Sequence, residues 1–280
     1  MSTQSANRPW LRIAAPGILI AVASVAPSWA QEAPAQDAPK ETAAAEPLVT
    51  LDSGGIITPR AQAVLDRMTA TLKSLQRYSV TAQITRDELL PFGYKLQNNE
   101  SARMWVEAPN RLRMEVSGDV KNRTYVYDGS QITMFVPGMN VYSSTAAPGS
   151  IGELVRALLD RGVEMPIVDM LYHGYVGNVA ENVKVGLVVG DSEVDGVQTD
   201  HLAFRQPDVD WQLWVEKGAQ ALPRKLLITT RYEVGDPQYQ AVLRWDLKPR
   251  MPAKAFSFEP PEGATKIPYH SSLVAGGGDQ

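Results

Sequence analysis

The stretch from Ser101 to Tyr142, SARMWVEAPNRLRMEVSGDVKNRTYVYDGSQITMFVPGMNVY, constrains the fold more than any other part of the chain. Met104 and Val106 stand against Arg103 and Glu107; Leu112, Met114 and Val116 stand against Arg111, Arg113 and Glu115. A period of two puts one side of each strand in water and the other in an apolar interior. Pro109-Asn110 and Asp128-Gly129 fall where hairpin turns are needed. A long antiparallel sheet with one apolar face and no chemistry-bearing residues predicts a container.

The N-terminus reads as an export address. Arg8 and Arg12 form a positive segment, and Ile13 to Val25 form an apolar run interrupted by Pro16-Gly17. Ser28-Trp29-Ala30 offers small residues at the −3 and −1 positions, predicting cleavage before Gln31 and a signal peptide over 1–30. The apolar run is shorter than the roughly 20 residues that span a bilayer. The chain has no cysteine, so an exported form has no disulfides and relies on its core. Nor can a lipid be attached at a mature N-terminal cysteine. A soluble periplasmic protein is expected. Residues 1–30 hold two arginines and no acid, so the 27 basic and 31 acidic residues of the whole become 25 and 31, a net charge of −6. That balance argues against nucleic acid and against electrostatic docking to anionic lipid.

Residues 31–57 are rich in Ala, Pro and Glu without apolar periodicity, and are expected to form a disordered spacer. A helix is predicted next: Thr58 caps, Pro59 takes the first position, and Ala61, Val64, Leu65, Met68, Leu72 and Leu75 line one face. Alternation starts at Tyr78. Ser150 and Glu153 form a capping-box pattern ahead of Ile151, Leu154, Val155, Leu158 and Leu159. A short helix is predicted from Pro166 to near Gly174, with Ile167, Val168, Met170 and Leu171 making it apolar nearly all round. Strands follow over 183–194, 197–204, 211–216, 224–234 and 238–247, with Asp195-Gly196 as a two-residue hairpin. Pro249 to His270 is expected as an extended edge, and 271–280 as a flexible tail. The reading is one mainly β domain over 58–270, with roughly ten or eleven strands.

No catalytic constellation emerges, so the chain is not read as an enzyme. Asp200 and His201 are strand neighbours on opposite faces. His173 sits at a helix end and His270 in the tail, with no HExxH motif. No metal or cofactor is expected. Asp208 and Asp210, and likewise Arg111 and Arg113, read as solvated surface pairs. Trp105 and Trp214 fall on the face opposite their apolar neighbours, packed in a cluster on the convex face, against an outer helix, or as an exposed contact patch.

The ordered set Met104-Trp105-Val106-Glu107-Ala108-Pro109-Asn110, Tyr127-Asp128-Gly129, Phe135-Val136-Pro137, Leu213-Trp214-Val215-Glu216 with Leu222-Pro223-Arg224-Lys225, and Phe256 to Ala264 resembles the LolA/LolB superfamily of periplasmic lipoprotein carriers. The resemblance is nearest to an uncharacterised predicted-periplasmic branch. It implies an unclosed antiparallel β-barrel of about 11 strands, with helices plugging the concave face over a cavity for acyl chains. Alternation turns Val80, Ile84, Met104, Val106, Leu112, Met114, Ile132, Met134, Val136, Phe204, Leu213, Val215, Leu226 and Ile228 inward, either to line the cavity the resemblance implies or to fill an ordinary dry core. Ile151, Leu154, Val155, Leu158, Leu159, Ile167, Val168, Met170 and Leu171 are assigned to a lid. The partner expected is a lipid or lipidated protein cargo, with a membrane-associated donor or acceptor and a monomeric carrier. The alternative is a sensor or interaction module of the same fold that binds a regulatory partner protein.

Overall fold

The computed structural model describes residues 49–50, 55–119, 122–147, 149–160, 167–168, 180 and 182–268. The first helix, α1 (Pro59–Ser74), begins where Thr58 Oγ1 accepts a hydrogen bond from the Ala61 amide at 3.3 Å. Its stripe of Ala61, Val64, Leu65, Met68 and Leu72 is buried. The chain then runs back and forth through six antiparallel strands: β3 (Arg77–Leu89), β4 (Lys95–Glu107), β5 (Arg111–Gly118), β6 (Arg123–Tyr127), β7 (Gln131–Val136) and β8 (Val141–Ala146). Helix α2 (Ile151–Leu159) follows. A second meander comprises β9 (Val185–Val194), β10 (Val197–Arg205), β11 (Val209–Glu216), β12 (Pro223–Thr230) and β13 (Gln238–Asp246). β13 pairs with β3, from Tyr239 opposite Arg86 to Asp246 opposite Ser79, which fuses the two meanders.

These eleven strands agree with the sequence count. Three two-residue strands extend the sheet to fourteen: β1 (Val49–Thr50), β2 (Ile56–Ile57) and β14 (Thr265–Lys266). β2 runs parallel to β9 and β14 parallel to β8. The order ends at β1 and β14, which do not pair, so the sheet is open, an unclosed barrel. The spacer expected over 31–57 therefore ends too late. Ile57 is fully buried, because its β-branched side chain faces the same core as the α1 stripe.

Turn chemistry does what the sequence asks. Asp195 and Gly196 both take positive φ, the pair of left-handed residues a two-residue hairpin needs. Asp128 Oδ1 accepts from the Ser130 and Gln131 amides at 2.8 and 2.9 Å, closing the β6–β7 turn. β12 stops at Thr230, short of the Val234 expected: its ladder with β13 ends at Thr229 opposite Gln238, and the Arg231 amide donates instead to the Asp208 carbonyl at 2.9 Å.

Residues 247–264 are not simply an edge. They cross the outer face of the sheet before β14 joins β8. Pro249 and Ala255 are buried, and the Phe258 ring lies 5.7 Å from Phe135 and 5.2 Å from Tyr142.

Candidate functional site

Both helices lie against the same face of the sheet, and that face holds two apolar clusters. Val80, Ile84, Met104, Val106, Leu112, Met114, Ile132 and Met134 are buried in the first, with Val136 packed at its margin. Phe204, Leu213 and Val215 are buried in the second, with Leu226 and Ile228 at its margin. All fourteen residues assigned by alternation thus occupy the helix-covered face. They are not one set: α2 closes over the first group and α1 over the second. Alternation places a residue on a face but carries no information about which helix meets it.

Of the residues assigned to the lid, Ile151, Leu154, Val155 and Leu158 are buried in the first cluster, as are Ile167 and Val168. Leu159 belongs to α2, but its side chain lies outside the described residues, as do Met170, Leu171 and His173. The Ser150 hydroxyl caps the Glu153 amide at 3.2 Å and also donates to the Glu153 carboxylate at 2.7 Å. The Ile151 amide is tied to the Pro109 carbonyl at 2.8 Å.

The first cluster also contains residues the sequence reading passed over. Tyr125, Tyr127, Ala241 and Leu243 are buried there, each on the alternating register that could have revealed it. Burial raises the pKa of the Tyr127 phenol, and the charges of Glu153 and Asp128 push it the same way. Ser143 pairs with Met134 on the same face, and its buried Oγ has no hydrogen-bond partner among the described residues. Tyr78 and Trp245 pack at 5.5 Å, and Trp245 borders both clusters.

The second cluster has an ionic end. Asp200, on the helix-covered face of β10, accepts from Arg60 at 3.3 Å and Arg67 at 3.2 Å, two turns apart on α1. Lys217 reaches Asp191 at 2.6 Å, and that contact holds the Asp191 carboxyl below its ordinary range. His201 points to the opposite face, as strand geometry requires. Its ring stacks on Trp214 at 4.2 Å, and Nε2 lies 2.9 Å from Gln212 Oε1.

The family model described as "Predicted periplasmic protein (DUF2092)" matches residues 61–269, from α1 to beyond β14. The chain belongs to this family. No curated protein matches it in sequence. Among solved structures, an uncharacterized conserved protein from Thermus thermophilus is similar at 13% identity and a TM-score of 0.45, covering 75% of this chain and 99% of its own. The Mycobacterium tuberculosis lipoprotein LppX is similar at 16% identity and a TM-score of 0.45, with 69% and 97% covered. A LolA superfamily protein from Nitrosomonas europaea is similar at 11% identity and a TM-score of 0.33, with 71% and 97% covered.

On the outer face both tryptophans pack in clusters, one of the arrangements the sequence allows. Trp105 is buried neither by a helix nor in a contact patch. The Arg103 guanidinium lies 5.6 Å from its ring centroid, and Pro249 to Ala253 wall a groove of about 790 Å³ beside it. Trp214 is buried between its cross-strand neighbours His201 and Lys225, whose Nζ stands 4.6 Å from its ring centroid. One member of each pair read as solvated is tied down, whereas Asp208 stays exposed. Arg113 reaches the Ala255 carbonyl of the crossing segment at 3.4 Å, whereas Arg111 stays exposed. Asp210 binds Arg205 and Arg231, and the Arg205 contact draws its pKa down.

Proposed function

We propose that the protein is a non-enzymatic periplasmic carrier, exported by cleavage of residues 1–30, whose domain over 58–270 holds the acyl chains of a lipid or lipidated protein. The chains lie between α2 and the first apolar cluster, and α2 is the cover that moves. The observation that carries this reading is the unequal tethering of the two helices. α1 has sixteen residues and is fastened through Arg60 and Arg67 to Asp200. α2 has nine residues, bonds through its first amide to the Pro109 carbonyl, and lays the apolar side chains of Ile151, Leu154, Val155 and Leu158 on the sheet, with no salt bridge to the sheet among the described residues. Such contacts are non-directional, so an acyl chain can replace them at little cost.

The composition of the cluster supports the same reading. Met104, Met114 and Met134 are adaptable side chains suited to ligands of variable shape. The unpartnered Ser143 hydroxyl fits an amphiphile with a polar group better than a bare hydrocarbon. The resemblance to the LolA/LolB superfamily implies an acyl-chain cavity at this place.

The test is to purify the protein from periplasm without detergent and extract it with organic solvent for lipid mass spectrometry. The delipidated protein is then titrated with a fluorescent fatty acid. A co-purifying acyl species and saturable uptake, weakened by Leu154→Asp, are expected. Absence of both overturns the reading. A second reading, an interaction module, is favoured by the edge of β8. Among the described residues β14 pairs only with Val141 and Tyr142, and an extended partner segment would pair along Ser143 to Ala146.

A further inference from the structure

The two ends of the sheet differ in a way the fold does not require. At one end the hairpins turn on polar residues, as at Asn110, Asp128-Gly129-Ser130 and Asp195-Gly196. No large apolar side chain is exposed in those turns. At the other end two neighbouring tips are apolar, although the β10–β11 turn at Gln206-Pro207-Asp208 is polar. The β3–β4 tip carries Phe92 and Tyr94, 77% and 59% exposed, and the β12–β13 turn carries Tyr232 and Val234, 66% and 81% exposed. Leu96 continues this surface onto the helix-covered face, and Met139 stands exposed on the β7–β8 turn at the same end.

The two larger tips are neighbours. Tyr239 pairs with Arg86, the Gln238 amide donates to Asp87 at 3.1 Å, and Leu89 is the side chain nearest Gly235. Phe92 and Tyr94 pack ring to ring at 6.2 Å, yet most of their surface, like that of Tyr232 and Val234, faces solvent, and so much apolar area on adjacent turns points to a contact. Local charge narrows what that contact is. Lys95 is drawn to Asp87 and Arg231 to Asp210, whereas Glu233 and Asp236 have no cation partner among the described residues. A rim with this acidic excess is repelled by anionic lipid but not by a zwitterionic surface. Tyrosine, an apolar ring with a polar tip, settles at the boundary between headgroups and acyl chains, and phenylalanine and valine add apolar area buried beside it.

We propose that this end of the sheet is a docking rim that inserts Phe92, Tyr94, Tyr232 and Val234 into the interface of a zwitterionic lipid bilayer. The rim takes its purpose from the carrier reading, as the place where cargo passes between protein and membrane. Its geometry stands apart from that reading. Insertion is by apolar burial of a few exposed side chains, so it is shallow and reversible.

The test is flotation of the mature chain with vesicles of phosphatidylethanolamine and phosphatidylcholine, and with the same mixture containing phosphatidylglycerol. The wild type is expected to float with the zwitterionic vesicles, no better with the anionic ones, and equally at high salt. Phe92→Ser with Val234→Ser is expected to lose at least about tenfold in partitioning, since two large side chains leave the interface. These side chains stand in solvent, so the melting temperature is expected to hold. Tyr94→Ser with Tyr232→Ser is an independent pair that must weaken binding in the same direction. Fatty-acid uptake in vesicle-free solution is measured on the same proteins. Uptake retained by rim variants that no longer float supports the rim, and flotation by a wild type that takes up no fatty acid rejects the carrier but not the rim. Failure of the wild type to bind zwitterionic vesicles, binding that needs anionic lipid, or unchanged binding by the variants overturns the inference.

Discussion

Replacing Asp200 by Asn tests how α1 is held to the sheet. The Asp200 side chain is only 9% exposed, whereas its partners Arg60 and Arg67 are 48% and 49% exposed. That asymmetry sets the magnitude. Breaking a fully buried ion pair costs about 3–5 kcal/mol because the surviving charge is left without solvent. An exposed pair contributes only about 0.2–1 kcal/mol. In Asp200→Asn both arginines can turn to water, so no charge is stranded. What remains is the loss of two charge-assisted hydrogen bonds made at a buried acceptor, about 1–2 kcal/mol in all after solvent screening of the arginines. For a domain of this size each kcal/mol moves Tm by roughly 2–4 °C, so a fall of about 2–8 °C is expected. Asn keeps the size and polarity of the side chain, so the change reports the charge. Calorimetric melts of the wild type, Asp200→Asn, Arg67→Gln and the double variant isolate the Asp200–Arg67 coupling. Hydrogen exchange of the α1 amides should rise while that of β4 to β6 is unchanged. A Tm within about 1 °C of the wild type would show that the ion pairs do not anchor the helix. A loss above about 4 kcal/mol would show that the arginines cannot reach water.

Thr58→Ala removes the side-chain cap of α1 and is expected to cost about 1 kcal/mol, seen as a lower urea midpoint at unchanged slope. The protein should lose stability in acid. Asp191, drawn down chiefly by Lys217, and Asp210, drawn down chiefly by Arg205, both titrate below the ordinary 3.8. Asp128 does so too; burial pulls its pKa up, but hydrogen bonds from Gln131 and Ser130 outweigh it. The unfolded chain therefore takes up protons first as pH falls. This stabilisation is complete above about pH 5 and is lost as pH drops below about 4, through the lowered native values. A melting temperature flat between those limits and about pH 2 would contradict the ion pairs described. Gly186→Ala places a Cβ 2.8 Å from Phe204 Cδ1 and 3.0 Å from Ile57 Cγ1. Overpacking of this kind costs about 1–3 kcal/mol, and a melt showing no loss would mean the Phe204–Trp211 stack can shift freely.

Features with a short physical range were legible in the residues. The helix from Pro59 was announced by Thr58 and by a stripe that recurs every three or four residues. The hairpin at Asp195-Gly196 was announced by the two residue types that best tolerate left-handed backbone. The faces of Val80, Met104 and Leu213 followed from a period of two, because side-chain direction along a strand is a property of the strand alone.

Partners distant in sequence were not legible. Asp200 looked like an ordinary strand acid, and only the packing of α1 across β10, some 140 residues away, makes it an anchor. Alternation places Trp105 on the outer face, but nothing near it in sequence names the segment from Pro249 that covers it. The fourteen apolar residues looked like a single lining, and the positions of α1 and α2 divide them in two. The sequence by itself determined the alternating wall, its turns and the caps of both helices, since these depend on neighbours a few residues apart. Tertiary structure alone decided which helix covers which part of the wall and which apolar hairpin tips stand together in solvent. Those outcomes depend on the register of strands far apart in the chain, and no local pattern records it.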